Sequence, residues 1–275
     1  MITTTGEDPM MGDERPTIAG ELIPGSGDGV LVLLHSLALD GSIWDAQLPD
    51  LTSMCTVVRC DLPGHGRSAH VTSVTVERMA DDVDAFLQEM GISRANVVGL
   101  SLGGCVAQSL AIRHPARVSG VGLFGTTAWY GKEGAAAWAN RAERARRSGL
   151  RSLSEFQLSR WFTPGFRADN PELCERILDI FSSNDLGSYL AACEALGAFN
   201  FIDLLDKIDA PAFVVVGEFD AATPLSSARQ LAAGISGAEL TVVPGASHLS
   251  PFERPDIFIR IVSKLLAASA VRERA

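Results

Sequence analysis

The chain alternates regularly between short apolar runs rich in β-branched residues and longer segments with helical periodicity. Continuous apolar strands separated by helices are what a parallel sheet covered on both faces requires. We therefore predict an α/β fold with a mostly parallel, doubly wound sheet. The predicted strands are Val30–His35, Thr56–Cys60, Ala95–Gly99, Val118–Phe124, Ala212–Gly217 and Leu240–Val243. The predicted helices are Ser42–Leu51, Val76–Met90, Leu102–His114, Ser226–Ala233 and Pro255–Ala268.

The alternation stops between residues 128 and 209, where helical patterns continue without a strand. We predict that this helical insertion covers the ends of the strands, and we call it the lid. The predicted division is a flexible N-terminus over residues 1–16, an α/β core over 17–127 and 210–275, and the lid over 128–209. The helical segments predicted in the lid are Lys132–Ser148, Leu153–Phe162, Pro171–Phe181 and Leu186–Ala198.

Aromatic residues of the lid are candidates for the wall of an apolar substrate pocket, because ligand pockets often have aromatic walls. The alternative interpretation is that each of them packs the lid onto the core. The candidate pocket residues are Trp129, Trp138, Arg160, Trp161 and Leu249.

The net charge of −10 argues against a nucleic-acid surface, which needs a basic stripe. The local basic cluster is interrupted by Glu143, and its spacing is typical of the solvated side of a helix. This cluster consists of Arg141, Arg144, Arg146, Arg147 and Arg151.

The five cysteines include no C-x-x-C pair, which favours reduced thiols over a disulfide framework or a zinc site. No apolar run reaches the roughly 18 residues that a membrane span needs. The polar, acidic N-terminus has none of the features of a secretory signal. We therefore expect a cytoplasmic protein that does not contact membranes.

The segment Gly99–Gly104 contains a G-x-S-x-G pattern centred on Ser101, between a predicted strand and a predicted helix. This context is typical of a sharp turn that presents a nucleophilic serine, with glycines where side chains would clash. The start of the helix also supplies N–H groups and a partial positive charge beside a reacting carbonyl. A generic turn in which Ser101 only caps the helix is the alternative.

A serine nucleophile needs a base, and His248 is the histidine that follows a late strand and precedes the last helix. An acid is then needed to orient the imidazole, and Asp220 follows the strand Ala212–Gly217. Asp220 could instead be an ordinary turn residue, and Glu218 is the nearest rival acid. The strand before the lid ends without a carboxylate, which favours Asp220.

The landmarks LLHS, DLPGHGRS, GLSLGG, GEFD and GASHLSPFERP together resemble the α/β-hydrolase superfamily over roughly residues 30 to 265. The chain order Ser101, Asp220, His248 is the nucleophile–acid–base order of that superfamily. Within it, the chain is most similar to 3-oxoadipate enol-lactonases. The stretches that carry this similarity are His35–Leu37 with Asp40 and Trp44, the serine turn with Gly104, and Arg160–Phe166.

The resemblance implies an α/β-hydrolase fold and cleavage of a small carboxylic ester or lactone through an acyl-enzyme, without metal or organic cofactor. The expected oxyanion donors are the backbone N–H groups of Leu102, directly after the nucleophile, and Leu37, after the first strand. Ser36 and Ala38 replace glycines expected in that loop. The glycine-poor loop disfavours a second reaction, hydrolysis of a carbon–carbon bond in a vinylogous diketone. A third possibility is a ligand-binding relative without activity.

Overall fold

The computed structural model describes residues 18–274, and a seven-stranded sheet forms its centre. The strand order is β1-β3-β2-β4-β5-β6-β7, and all strands are parallel except β1, which pairs antiparallel with β3. The strands are β1 (Gly20–Ile23), β2 (Val30–Leu34), β3 (Thr56–Cys60), β4 (Ala95–Leu100), β5 (Val118–Phe124), β6 (Ala212–Gly217) and β7 (Glu239–Val243). The predicted mostly parallel, doubly wound sheet is therefore confirmed.

The middle of the sheet forms the core of the fold. Every residue of β4, β5 and β6 is buried, as expected for strands covered by helices on both faces. All six predicted strands are present, and β1 is an additional edge strand. The N-terminal residues 1–16, which we predicted to be flexible, lie outside the described residues.

Helices connect the strands and cover both faces of the sheet. The core helices are α1 (Leu48–Thr52), α2 (Val76–Glu89), α3 (Leu102–Arg113), α9 (Leu225–Gly234), α10 (Ser250–Glu253) and α11 (Pro255–Arg274). Among residues 18–274, no helix combines the length and the apolar character that crossing a membrane requires.

The predicted helix Ser42–Leu51 is wrong as a single element. The chain forms a 3₁₀ turn at Gly41–Trp44, which Asp40 caps by accepting a hydrogen bond from the Ser42 N–H at 2.9 Å. A separate short helix, α1, then begins with Pro49 in its first turn. Proline lacks an N–H and is favoured at a helix start, so it separates the two elements.

The segment between β5 and β6 is helical, as the sequence predicts. Its helices are α4 (Gly134–Ser148), α5 (Ser154–Trp161), α6 (Pro164–Asp169), α7 (Pro171–Ser183) and α8 (Leu186–Ala198). Short 3₁₀ turns at Leu150–Leu153 and Ile202–Lys207 complete it. A single backbone bridge between Trp129 and Asn200 joins its two ends.

Candidate active site

Ser101 occupies a strained turn between the central strand β4 and helix α3. Its backbone has φ 55°, in the left-handed region that non-glycine residues rarely adopt. The close approach of strand and helix explains the glycines beside it. A Cβ on Gly99 would lie 2.1 Å from the carbonyl oxygen of Gly103, and a Cβ on Gly103 would lie 2.3 Å from that of Leu34.

Hydrogen bonds to both neighbouring strands hold this turn. The N–H of Ser101 donates to the carbonyl of Phe124 at the end of β5, at 2.9 Å. The N–H of Gly103 donates to the carbonyl of His35, just after β2, at 3.0 Å. The Thr126 hydroxyl donates to the Ser101 carbonyl at 2.8 Å. The turn therefore depends on pairing across three adjacent strands.

Asp220 and His248 form a buried pair. Asp220 follows β6, His248 lies in the loop after β7, and Nδ1 of His248 is 2.9 Å from Oδ2 of Asp220. The Thr223 hydroxyl donates to the same carboxylate oxygen at 2.9 Å, and the N–H groups of Ala222 and Thr223 donate to the other. Glu218, the rival acid, instead accepts a hydrogen bond from the N–H of Gly245.

The surroundings keep the Asp220 carboxylate ionised. Burial alone would raise its pKa, but the charge of His248 and the hydrogen bonds from His248 and Thr223 outweigh burial and lower the pKa of Asp220. An ionised acceptor at Nδ1 fixes the ring so that Nδ1 carries the proton. Nε2 of His248 is then the nitrogen that can accept a proton.

Ser101 and His248 both line one cavity of about 400 Å³, between the strand ends and the lid. Of the candidate pocket residues, Trp138, Arg160 and Trp161 also line it. The complete lining consists of Ser36, Leu37, Ser101, Tyr130, Glu133, Gly134, Ala137, Trp138, Asn140, Arg141, Arg144, Phe156, Gln157, Arg160, Trp161, Ala222, Thr223 and His248.

Two candidate pocket residues lie outside this lining. Trp129 pairs its backbone with Asn200 at the base of the lid. Leu249 is fully buried, and its N–H donates to the carbonyl of Trp161 at 3.0 Å. The expectation that they line this pocket is therefore corrected: the Trp129 backbone joins the two ends of the lid, and Leu249 connects the core to the lid.

The structure adds cavity residues that the sequence interpretation missed. Arg141 and Arg144 line the cavity, although we interpreted their cluster as a solvated helix side. Together with Trp138 they are spaced three residues apart on α4, so they lie on one helix face. The same spacing continues to Arg147, which pairs with Glu143 instead, so spacing alone did not identify Arg141 and Arg144.

The two expected oxyanion donors lie beside the serine turn. Leu102 begins α3, and Leu37 lines the cavity. Within residues 18–274, the backbone N–H groups of Leu37 and Leu102 have no hydrogen-bond acceptor. Ala38, where we expected glycine, adopts φ 57°, which is the left-handed conformation that glycine tolerates best.

The loop that carries His248 is joined directly to the lid. The Ser247 hydroxyl donates to the carbonyl of Arg160 at 2.8 Å. Glu253 accepts hydrogen bonds from the N–H of Ser247 and from the N–H and hydroxyl of Thr163. The loop that carries His248 therefore lies at the junction between the core and the lid.

The other buried histidines, His35 and His65, form hydrogen bonds with the backbone. His35 accepts a hydrogen bond from the N–H of Leu62 at Nε2, and its Nδ1 donates to the carbonyl of Ser36. Nδ1 of His65 donates to the carbonyl of Pro63 at 3.0 Å. In the described part of the chain, no group of three or more His, Cys, Asp and Glu residues could hold a metal ion.

Comparisons with known proteins show the family of the chain. The family model of the alpha/beta hydrolase fold matches residues 29–255. The 3-oxoadipate enol-lactonase 2 of Acinetobacter baylyi is 32% identical over 86% of this chain and 88% of its own length. A pimeloyl-[acyl-carrier protein] methyl ester esterase of Neisseria meningitidis is 34% identical over 80% and 86%. The solved enol-lactonase from Burkholderia xenovorans LB400 is 33% identical, with TM-score 0.87 over 92% of this chain and 97% of that chain.

Proposed function

Because the chain belongs to the α/β-hydrolase family, we propose that it is a serine hydrolase that cleaves a small carboxylic ester or lactone. The hydrogen bond between His248 and Asp220, on the wall of the cavity that contains Ser101, is the observation that supports this proposal most. An oriented imidazole and a strained serine on the wall of one cavity are the components that acyl transfer needs.

In the proposed reaction, Oγ of Ser101 attacks the ester carbonyl carbon while Nε2 of His248 takes the hydroxyl proton. Asp220 stabilises the imidazolium that forms. The bond from carbonyl carbon to the leaving oxygen breaks, and His248 returns its proton to that oxygen. A water molecule then attacks the acyl-enzyme, His248 takes a proton from it, and Ser101 regains its hydrogen as the acid is released.

The negative charge that develops on the carbonyl oxygen needs preorganised donors. The N–H groups of Leu37 and Leu102 suit this role because neither has an acceptor among residues 18–274. The start of α3 adds the partial positive charge of a helix N-terminus at Leu102. No metal or organic cofactor takes part in this scheme.

For the substrate, we propose an enol-lactone of the type named in the relatives, 3-oxoadipate enol-lactone. A cavity of about 400 Å³ is at the small end of ligand pockets, which favours a compact ester or lactone over a long acyl chain. In a lactone, the leaving oxygen stays attached to the acyl group, so one open-chain acid is the final product.

The test compares Ser101→Ala with the wild type on short aryl esters, simple lactones and an enol-lactone. We expect Ser101→Ala to lose activity by at least about a thousandfold while its circular dichroism spectrum is unchanged. A fluorophosphonate should label the wild type at Ser101 and leave the variant unlabelled. Ser159→Ala, which removes an exposed hydroxyl from the lid, is the matched control and should keep full activity.

Each outcome separates this proposal from its alternatives. Cleavage of a vinylogous diketone, with no ester or lactone turnover, would favour the carbon–carbon hydrolase. Tight binding of a small molecule without turnover of any substrate would favour the non-catalytic relative. Most of the activity remaining in Ser101→Ala would contradict the assignment of the nucleophile.

A further inference from the structure

A second cavity adjoins the cavity that Ser101 lines, which we call the first cavity. The second cavity has a volume of about 650 Å³ and lies between helices α4 and α8 of the lid. Its buried floor is apolar and consists of Ala142, Ala191 and Cys193, whereas the two charged side chains in its lining are exposed. The complete lining consists of Thr72, Ala135, Trp138, Ala139, Ala142, Arg146, Gly187, Leu190, Ala191, Cys193, Glu194, Gly197 and Ala198.

Helix α4 separates the two cavities, because opposite faces of the helix line them. Residues two positions apart on an α-helix project about 200° apart. Ala137 lines the first cavity, and Ala139 lines the second. Within residues 18–274, Trp138 is the one residue that lines both. Its side chain therefore forms part of the wall between the cavities.

Neighbouring side chains hold the Trp138 ring in this wall. The Tyr130 ring packs edge-to-face against it with centroids 5.2 Å apart, and the guanidinium carbon of Arg141 lies 4.8 Å from its centroid. Both contacts are favourable for an indole ring. On the α8 side, a Cβ built on Gly197 would lie 3.4 Å from the Cβ of Trp138, so the two helices are close together beside it.

An alkyl chain too long for the first cavity would meet this wall. The first cavity, of about 400 Å³, must also hold the reacting ester group, and the second would add about 650 Å³ of mostly apolar space. Burial of methylene groups in such a space is favourable because it removes apolar surface from water. The indole of Trp138 is the side chain that stands between the chain and this gain.

We propose that Trp138 limits the length of the substrate, because it closes the first cavity against a second one that accepts an extended alkyl chain once the indole is removed. The occupant of the second cavity is then the distal end of a linear ester whose carbonyl reacts with Ser101, since the two cavities adjoin at Trp138. The inference rests on the proposed function, because the ester must react at Ser101. Trp138 is a specificity-determining residue and takes no part in the bond-breaking steps.

The test compares p-nitrophenyl octanoate with p-nitrophenyl butyrate, as the ratio of kcat/KM for the longer ester to that for the shorter. We expect the wild type to prefer the butyrate. Trp138→Ala should raise the ratio at least about tenfold, since the added methylene groups become buried in the second cavity. Trp138→Phe keeps a ring in the wall and should raise the ratio less. Octyl acetate, compared with butyl acetate in the same way, places the long chain on the alcohol side.

Two further variants show whether the chain enters the second cavity. Ala139→Phe, added to Trp138→Ala, places a ring in the second cavity and should return the ratio toward the wild-type value. Trp129→Ala is the matched control, because it removes the same side chain from the lid outside both cavities, and it should leave the ratio unchanged. Thermal unfolding shows which variants are folded, and Trp138→Leu replaces Trp138→Ala if alanine prevents folding.

Three results would overturn the inference: a wild type that hydrolyses long and short esters equally well, ratios that stay unchanged in the folded Trp138 variant for both ester pairs, or a double variant that keeps the full gain. In each case, ester hydrolysis that is lost in Ser101→Ala would show that the proposed function stands. A wild type that hydrolyses no ester, and that a fluorophosphonate does not label at Ser101, would instead contradict the proposed function and the inference together.

Discussion

The carboxylate of Glu253 accepts a hydrogen bond from the backbone N–H of Ser247, the residue directly before His248. Its other oxygen accepts from both the N–H and the hydroxyl of Thr163 in the lid. Glu253 thus joins the His248 loop to Thr163, which caps the start of α6. It contacts no reacting atom, so we interpret it as a positioning residue.

Replacement of Glu253 should therefore lower kcat more than it changes KM. We expect Glu253→Ala to reduce kcat roughly tenfold, because a small displacement of a catalytic group is costly. Glu253→Gln should lose less, since the amide oxygen still accepts one of these hydrogen bonds. Steady-state kinetics on a short aryl ester measures this. Glu239→Gln, at an exposed site 3.9 Å from Lys264, is the control, and equal losses in the two glutamine variants would contradict the role of Glu253.

Acid should destabilise the fold through two buried histidines. Burial lowers the pKa of His35, and burial with the charge of His35 lowers the pKa of His65 to about 3. Well above pH 6.5 both are neutral whether the chain is folded or unfolded. At lower pH the unfolded chain binds protons that the folded chain does not, so stability falls as the pH falls, and His65 contributes up to about 1.4 kcal/mol per pH unit down to about pH 3.

The His65→Asn variant tests this pH dependence. Its amide can still donate to the carbonyl of Pro63, as Nδ1 of His65 does. Between pH 7 and pH 5, the free energy of unfolding in urea should fall less steeply for His65→Asn than for the wild type. Parallel slopes for the two proteins would show that His65 does not couple folding to protonation.

Gly99 should tolerate no side chain. A Cβ there would lie 2.1 Å from the carbonyl oxygen and 2.3 Å from the carbonyl carbon of Gly103, and backbone cannot move aside as a side chain can. We expect Gly99→Ala to lose at least about 3 kcal/mol of stability, or not to fold. Gly165→Ala, with no atom within 4 Å, should be neutral or slightly stabilising. Thermal unfolding of both variants decides between these outcomes.

The cysteines should not react in the native protein. All five are buried, and burial raises the pKa of Cys60 to about 12 and that of Cys105 to about 11. The thiolate is the reactive form, so iodoacetamide should neither label nor inhibit the folded protein. Mass spectrometry after alkylation measures this, with urea-unfolded protein as the fully labelled control. Loss of activity on alkylation of Cys105, the cysteine nearest Ser101 in sequence, would contradict the expectation.

The sequence contained enough information for the parallel sheet and for the serine turn. Apolar, β-branched runs mark the buried strands, and the residues around Ser101 carry the glycines that a tight strand–turn–helix needs. The edge strand Gly20–Ile23 was missed because it is short and has a glutamate and a glycine in four residues. Edge strands are only partly buried, so they show a weaker apolar pattern.

In the lid, the local sequence pattern did not determine which residues line the cavity. Trp129 and Leu249 resemble pocket residues by type, yet neither lines the cavity. The backbone of Trp129 pairs with that of Asn200, and the N–H of Leu249 donates to the carbonyl of Trp161. Arg144 and Arg147 are three residues apart in one basic segment, but only the packing of α4 decides that Arg144 faces the cavity and Arg147 faces Glu143. Such assignments depend on tertiary structure.

The serine turn lies at the end of β4, the fourth of seven strands, and its backbone is tied to the strands on either side. The unusual conformation of Ser101 can persist only when the surrounding sheet over-determines it. A chain that has lost the pairing of β2 or β5 would relax this residue into an ordinary turn. Labelling of Ser101 by a fluorophosphonate would then report whether the central strands of the sheet have paired. A misfolded preparation would not be labelled, even if it retained much of its secondary structure.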